Sequence, residues 1–316
     1  MSDDVVLGST SGGAFSAIIE GWCDENYVIF GAETEGLRVF HSYVEDKNAA
    51  YRFRKSKYLQ SEIGESYKQV KIFLAEGKKV LFSGTPCQIA GLEAFLGKTD
   101  RTNLLTIEVV CEGVPSPLLI DKLCQHYGGV TDVDYRYKND KGRWDFEVMK
   151  LTGREHDRII DRWLNPFWSI WLNHLVSRPS CYECPFATKT RVADISLGDL
   201  WGVHLYCPDL YNRNRGASLV ICNSKKGKDA FEKAVVYMKG RYLDYEEAVK
   251  YQSPLRKPIS KNSRRTACLT DLGNDKISYQ EIVKKYAIRP SLKLLIHKYI
   301  WGNRQKVWMW NLLRKE

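Results

Sequence analysis

The chain has 316 residues, 44% hydrophobic and 27% charged, a size and balance that suit one large or two modest globular domains and exclude a disordered or fibrous chain. No run approaches the roughly 20 apolar residues of a membrane span, and the acidic, polar start MSDDVVLGSTSGGAF lacks the basic and apolar regions of a secretory leader, so the cytoplasm is the expected location. The net charge is +10, but nine Lys or Arg against one acid between residues 284 and 316 supply +8 of it; the near-neutral body argues against nucleic-acid binding.

SGGAFSAIIEGWCDEN reads as a helix, with Ser9, Thr10 and Ser11 as candidate caps. YVIFGAE and LRVFHSYV read as strands. GESYKQVKIFLAEGK is an amphipathic helix, and KVLFS is a buried strand that runs through Gly84-Thr85-Pro86 into the helix PCQIAGLEAFLG, with Pro86 at the favoured first position. NLLTIEVVC is a further apolar strand, followed by EGVPS and the helix PLLIDKLCQHYG. Residues 130 to 160 look antiparallel, as in TDVDYRYKN and RWDFEVMKL. NPFWSIWLNHLV is an aromatic-rich helix. ADISLGD and ASLVICN are strands, KKGKDAFEKAVVYM is a helix, and residues 252 to 275 are irregular. The expected fold is therefore mixed α/β: a central, mostly parallel or mixed sheet with helices, an antiparallel insertion, and a basic helical C-terminal tail. The expected division is a main domain over residues 1–270 and the tail over 271–316.

Nine cysteines, an odd number, argue against a disulfide framework in a reducing compartment. Cys87 in SGTPCQ and Cys111 in VVCEGVPSP each follow a buried strand in a glycine- and proline-containing loop. Strand ends of this kind gather ligands in open sheets; ordinary core or loop cysteines are the competing reading for both. Cys181 and Cys184 add a chelating CxxC after Pro179. Four thiolates suit either zinc or a [4Fe–4S] cluster, and the residues alone leave that choice open. Cys23, Cys124 and Cys222 fall in apolar patterns and read as core.

STSGGAF opens a helix, and Ser9, Ser11, Gly12 and Gly13 would let a pyrophosphate approach free N–H groups; a plain helix cap is the competing reading. No GxGxxG follows the first strand, and no GxxxxGK[ST] occurs. KSKYLQS carries Lys57 toward an anionic cofactor or toward solvent. In ISLGDLWG, Asp199 has a place to hydrogen-bond a flavin or deazaflavin ring edge, with Trp201 packed on it; a turn with a core tryptophan is the alternative. The six histidines show no metal-ligand spacing.

Taken in order, the motifs SxSGGxF, SKYxQS, FSGTPCQIAGL, VxCxGVPSP and RPSCYxCPF…R…DIxLGDxWG resemble those of the beta subunits of coenzyme F420-reducing hydrogenase and formate dehydrogenase, a group that includes plant 7-hydroxymethyl chlorophyll a reductase. The resemblance spans about residues 8 to 225. It implies an oxidoreductase with FAD and a [4Fe–4S] cluster, in which electrons pass between the cluster and the flavin and on to or from a small-molecule substrate, coenzyme F420 or another. It makes Cys87, Cys111, Cys181 and Cys184 the cluster ligands. It makes the STSGG turn, Lys57 and the GTPCQ loop, with Gly84, Thr85 and Gln88, flavin contacts. It places Asp199 and Trp201 near the ring.

The chain departs from the family pattern in three places. The N-terminal ferredoxin-like segment of larger members has no counterpart before STSGG, so either a separate ferredoxin-like protein or a hydrogenase or dehydrogenase subunit is the expected electron partner, or the reading frame is a fragment. Glu112 stands where the family often has His, so a carboxylate takes over any proton handling there. Thr10 and Ala14 vary the glycine-rich opening. Two other classes compete: a nucleic-acid-binding protein stabilised by zinc on the four cysteines, and a non-enzymatic scaffold that keeps the fold. The basic tail, with Leu292, Leu295, Ile296 and Tyr299 at helical spacing and Trp301, Trp308 and Trp310 beyond, suits an anionic membrane surface at the inner face, an acidic partner, or packing on its own domain.

Overall fold

The structure, a computed structural model, describes residues 1–138, 148–161, 165–208, 210, 215–301, 305, 308–309 and 312–313. Residues 143–147 of the second expected antiparallel strand lie outside that set, as does Trp310.

The main sheet contains β1 (Tyr27–Glu35), β2 (Arg38–Val44), β3 (Lys79–Gly84), β4 (Leu104–Val109), β8 (Ile195–Asp199) and β9 (Ser218–Cys222), in the order β2-β1-β3-β4-β8-β9. β1, β3, β4 and β8 run parallel, and β2 and β9 close the two edges antiparallel. The strands alternate between two apolar layers, as a pleat buried on both faces requires. Val28, Phe30, Val80, Phe82 and Leu104 face α3 (Ser66–Ala75) and α4 (Pro86–Leu96). Ile29, Leu81, Leu105 and Ile195 face α2 (Ala14–Trp22) and the helix Lys225–Ala234.

A second core forms between the antiparallel sheet β5 (Val130–Asp134), β6 (Val148–Gly153) and β7 (Arg158–Asp161) and four helices: α5 (Pro117–Tyr127), α6 (Pro166–Leu172), Arg265–Leu272 and Tyr279–Tyr286. The helix Arg265–Leu272 falls inside the stretch expected to be irregular. Its polar sequence conceals two anchors, Cys268 and Leu272, that are fully buried in this core. Cys207 is also buried, in a small cluster with Leu200 and Leu219. The short helix α1 (Asp3–Leu7) was not expected; Ser2 caps it and two acids occupy its first turn.

Candidate active site

The carboxyl ends of β3, β4 and β8 open into a cleft of about 510 Å³, where open α/β sheets collect ligands. Its lining includes Ser83 and Gly84 from β3, Val109 and Cys111 from the end of β4, and Leu197 to Asp199 from β8. A smaller chamber of about 60 Å³ lies beside it, lined by Cys87, Cys111, Cys181 and Cys184. Thr85, Cys111, Glu112 and Gly113 belong to the walls of both.

Local chemistry explains how four distant cysteines meet. Thr85 and Gln88 form a capping box at the start of α4, with Pro86 in the first turn. This fixes Cys87 on the first turn, its Sγ 3.2 Å from Thr85 Oγ1. After β4 the chain turns at Gly113, whose φ is +93°; a Cβ there would lie 3.1 Å from Cys181 Cβ and 3.3 Å from its Sγ. Glycine therefore lets the Cys111 loop press against the CxxC. Ser116 N donates to Val176 O (2.7 Å) and Arg178 N to Val114 O (3.0 Å), joining that loop to the segment before Cys181. Arg191 holds the far side. It donates to the carbonyls of Phe186 (2.6 Å) and Thr188 (2.9 Å) and to the buried Glu108 carboxylate on β4.

Burial pushes the Cys111 thiol up to about 12, and the neighbouring Cys181, Cys87 and Cys184 push it the same way. Burial also raises Cys181. A redox-active CxxC needs a lowered thiol pKa, and Cys181 is shifted the opposite way. A bound metal charge would reverse the balance and hold the group as thiolates. Among the described residues no three His, Cys, Asp or Glu side chains are arranged to hold one metal ion. The four thiols border one chamber, and four cysteines are the donor set of either a zinc ion or a [4Fe–4S] cluster.

In the larger cleft, Ser9, Ser11, Gly13, Lys57, Gly84, Thr85, Gln88, Glu112, Asp199 and Trp201 all line the wall. Gly12 does not. Its N–H donates to Ser218 Oγ (3.0 Å), and a Cβ would lie 3.0 Å from Ser218 N, so this glycine serves close packing of the turn before α2 on the start of β9. The expected hydroxyl caps are also absent. Ser11 Oγ donates to Ala217 O (2.7 Å), Ser9 Oγ to Val5 O (2.6 Å), and the N-cap is Gly13 at φ +85°. The first turn of α2 thus has no side-chain cap, and Gly13, Ala14 and Phe15 line the cleft.

Lys57 donates to the carbonyls of Arg54 (2.7 Å) and Arg52 (3.2 Å), and burial brings its pKa down to about 8. Arg54 joins it on the cleft wall, its Nε on Ser16 Oγ at 2.9 Å. Asp199 accepts from the buried Arg136 at 2.9 Å, and Arg136 also donates to Tyr58 OH at 3.0 Å. Arg136 and His41 sit in ordinary strand or loop patterns with no motif around them, and Arg54 stands just before KSKYLQS, outside the motif; none was singled out by the sequence.

His41 heads a buried polar chain. Its Nε2 donates to Ser83 O (2.9 Å), which leaves Nδ1 to accept from Ser61 Oγ (2.8 Å); Ser61 Oγ accepts from Gln88 Nε2 (2.9 Å), and Gln88 Oε1 accepts from Thr85 N (2.9 Å). Burial lowers the His41 pKa, in keeping with a neutral ring.

An open sheet with a cleft at its strand ends, and a four-thiol chamber alongside, has the layout of an α/β redox protein. Comparison with known families narrows the class. Residues 77–248, over half the chain, match the family model for the C-terminal region of the coenzyme F420 hydrogenase/dehydrogenase beta subunit. The chain belongs to that family, and with it to the oxidoreductase subunits of the beta type. Among solved structures it is similar in fold to a chain of the F420-reducing [NiFe] hydrogenase complex from Methanosarcina barkeri, with a TM-score of 0.52 and 15% identity, covering 90% of this chain and 89% of that one. Comparison with curated proteins gave no match.

Proposed function

We propose that the protein is an iron–sulfur flavoprotein subunit that binds a [4Fe–4S] cluster in the four-cysteine chamber and FAD in the adjoining cleft, and exchanges reducing equivalents with a small-molecule substrate. The observation that carries this reading is the shared wall: Cys111 and Glu112 border both spaces. When bound, a flavin supplies interchange between hydride chemistry and the one-electron chemistry of a cluster.

The residues divide the work. Cys87, Cys111, Cys181 and Cys184 are the cluster ligands. The uncapped start of α2 at Gly13, with Lys57 and Arg54, offers donors and positive charge to a pyrophosphate. Arg136 orients Asp199 on the wall beside Trp201. Asp199 so held is an orienting acceptor for a ring N–H, and Glu112, on the boundary between the spaces, is the residue suited to hold or pass a proton. Coenzyme F420 and other hydride-exchanging small molecules are the candidate substrates, and a ferredoxin-like protein or a hydrogenase or dehydrogenase subunit is the candidate electron partner.

The test is anaerobic purification followed by iron, sulfide and flavin assay and a visible spectrum. Serine at any of the four cysteines lowers iron, whereas Cys268→Ser leaves iron in place. Protein that takes up zinc but neither iron nor flavin on reconstitution overturns the reading.

A further inference from the structure

We infer that the basic segment from Ile288 onward is an interfacial anchor that lays the protein on an anionic lipid surface. Two consecutive C-terminal helices support this by contrast. The helix Tyr279–Tyr286 buries Tyr279, Ile282 and Tyr286 in the second core. The chain leaves that core at Ile288, whose N–H donates to Ser169 Oγ at 2.6 Å. The next helix, Leu292–Tyr299, is capped by Ser291 but leaves Leu292 and Ile296 exposed. Beyond it Trp301, Trp308, Leu312 and Leu313 are exposed as well. Exposed single leucines are ordinary, but a run of exposed Leu, Ile and Trp at one chain segment calls for an occupant.

Charge selects that occupant. From Arg289 to Lys315 the sequence has seven Lys or Arg and no Asp or Glu. An acidic protein would meet the charges but offers nothing specific to the tryptophans and leucines. The boundary of an anionic bilayer takes both: headgroups receive the basic side chains, indoles settle at headgroup depth, and aliphatic side chains enter the acyl region. No helix among the described residues is long and apolar enough to cross a membrane, and the inferred attachment is to the lipid surface. This inference is independent of the flavin and cluster assignment.

The experiment is co-sedimentation of the full-length protein with vesicles of phosphatidylcholine alone or mixed with phosphatidylglycerol, at low and high salt. The protein is expected to pellet with the anionic vesicles at low salt and to be released by high salt. Each basic contact is worth roughly a fivefold factor in partitioning, so Arg289→Gln with Lys293→Gln lowers binding by about twenty-five-fold. Trp301→Ala with Trp308→Ala also lowers it. Thermal unfolding is followed in parallel, and neither double variant is expected to shift the midpoint, because these side chains are exposed. Failure to bind anionic vesicles overturns the inference, as does equal binding to neutral ones. Loss of vesicle binding that occurs only with a lowered midpoint also overturns it. So does a tail-dependent association with itself or with an acidic protein in the absence of any vesicle binding.

Discussion

Arg191 donates to Glu108 where the two side chains meet almost no solvent, 2% and 0% exposed. Glu108 lies on β4 three residues before Cys111, and the Arg191 guanidinium also grips the carbonyls of Phe186 and Thr188 just after Cys184. Ser196 Oγ adds a 2.6 Å bond to the Glu108 carboxylate. One ion pair thus ties the CxxC segment to the strand that delivers a third cysteine. Removing one partner leaves the other charge buried and unpaired, which costs about 3–5 kcal/mol. Glu108→Gln and Arg191→Met are each expected to destabilise the fold by that amount in urea denaturation and to reduce iron content. Glu108→Leu with Arg191→Met should recover part of the stability but not the iron, because the carbonyls of Phe186 and Thr188 stay unheld. Single variants with wild-type midpoints would show that the pair is not a structural tie.

Gly12 yields a prediction different from the one its motif suggests. As a phosphate-loop glycine, Gly12→Val would deplete flavin and leave the fold alone. Its actual neighbour is Ser218, whose N would sit 3.0 Å from a new Cβ. A branched side chain must push α2 away from β9, and overpacking of this kind costs about 1–3 kcal/mol. Gly12→Val is therefore expected to lower the melting temperature of apoprotein and flavin content together. A flavin loss with an unchanged apoprotein melting curve would return Gly12 to the cleft.

The strands of the main sheet were legible in the sequence because both faces are buried and the apolar runs are dense, as in KVLFS and NLLTIEVVC. The corresponding places of Cys87 and Cys111 after neighbouring strands made them candidates, but only the family resemblance joined them to Cys181 and Cys184, which line the same chamber. What the sequence concealed depends on distant partners. Lys138, in an ordinary polar run, donates to the carbonyls of Ser11 (2.8 Å) and Arg215 (2.8 Å) and so joins the glycine-rich turn to a segment over 200 residues on. Ser9 and Ser11 have the composition of helix caps, yet their hydroxyls serve Val5 and Ala217. The helix Arg265–Leu272 shows little apolar periodicity, since only Cys268 and Leu272 are buried along it.

The chain from His41 to Thr85 makes the cleft wall sensitive to acid. His41 accepts from Ser61 through Nδ1 only while the ring is neutral, and burial lowers its folded pKa below the ordinary histidine value of 6.5. As pH falls through 6.5 the unfolded chain takes up a proton first, so stability rises with pH across the window from the folded pKa up to 6.5 and is lost on acidification. Replacing His41 with Gln should flatten this part of the stability profile. Gln88→Leu breaks the same chain at Ser61 and Thr85. It leaves the Thr85 N–H without its side-chain acceptor, at a cost of about 1–3 kcal/mol, and should loosen the helix turn that carries Cys87. Chemical denaturation from about pH 5 to 8, the range over which histidine titrates, separates the two effects: a pH-independent loss in Gln88→Leu, and a loss of pH dependence in His41→Gln. An unchanged acid slope in the latter would remove His41 from this role.

Lys57 gives the clearest pH signature for an anionic cofactor. Burial brings its pKa from 10.5 down to about 8 in the unliganded protein, despite the nearby Glu33 and Asp134 carboxylates. Between about 8 and 10.5 the unfolded chain holds a proton that the folded apoprotein has released. Its contribution to apoprotein stability therefore rises with pH through that window and is unfavourable below it. An anionic ligand reverses the preference, because a phosphate beside the amine restores the ammonium form. FAD affinity is then expected to be flat below about 8 and to weaken above it, by up to about tenfold per pH unit, as binding must draw one proton from solvent. Lys57→Met should bind FAD more weakly at neutral pH, lose this dependence, and leave the apoprotein folded. Fluorescence titration of FAD at several pH values, in buffers of different ionisation enthalpy for calorimetric proton counting, reads both quantities. Wild-type affinity that stays constant from about pH 7 to 10, across the folded pKa, would mean that Lys57 does not meet the phosphate.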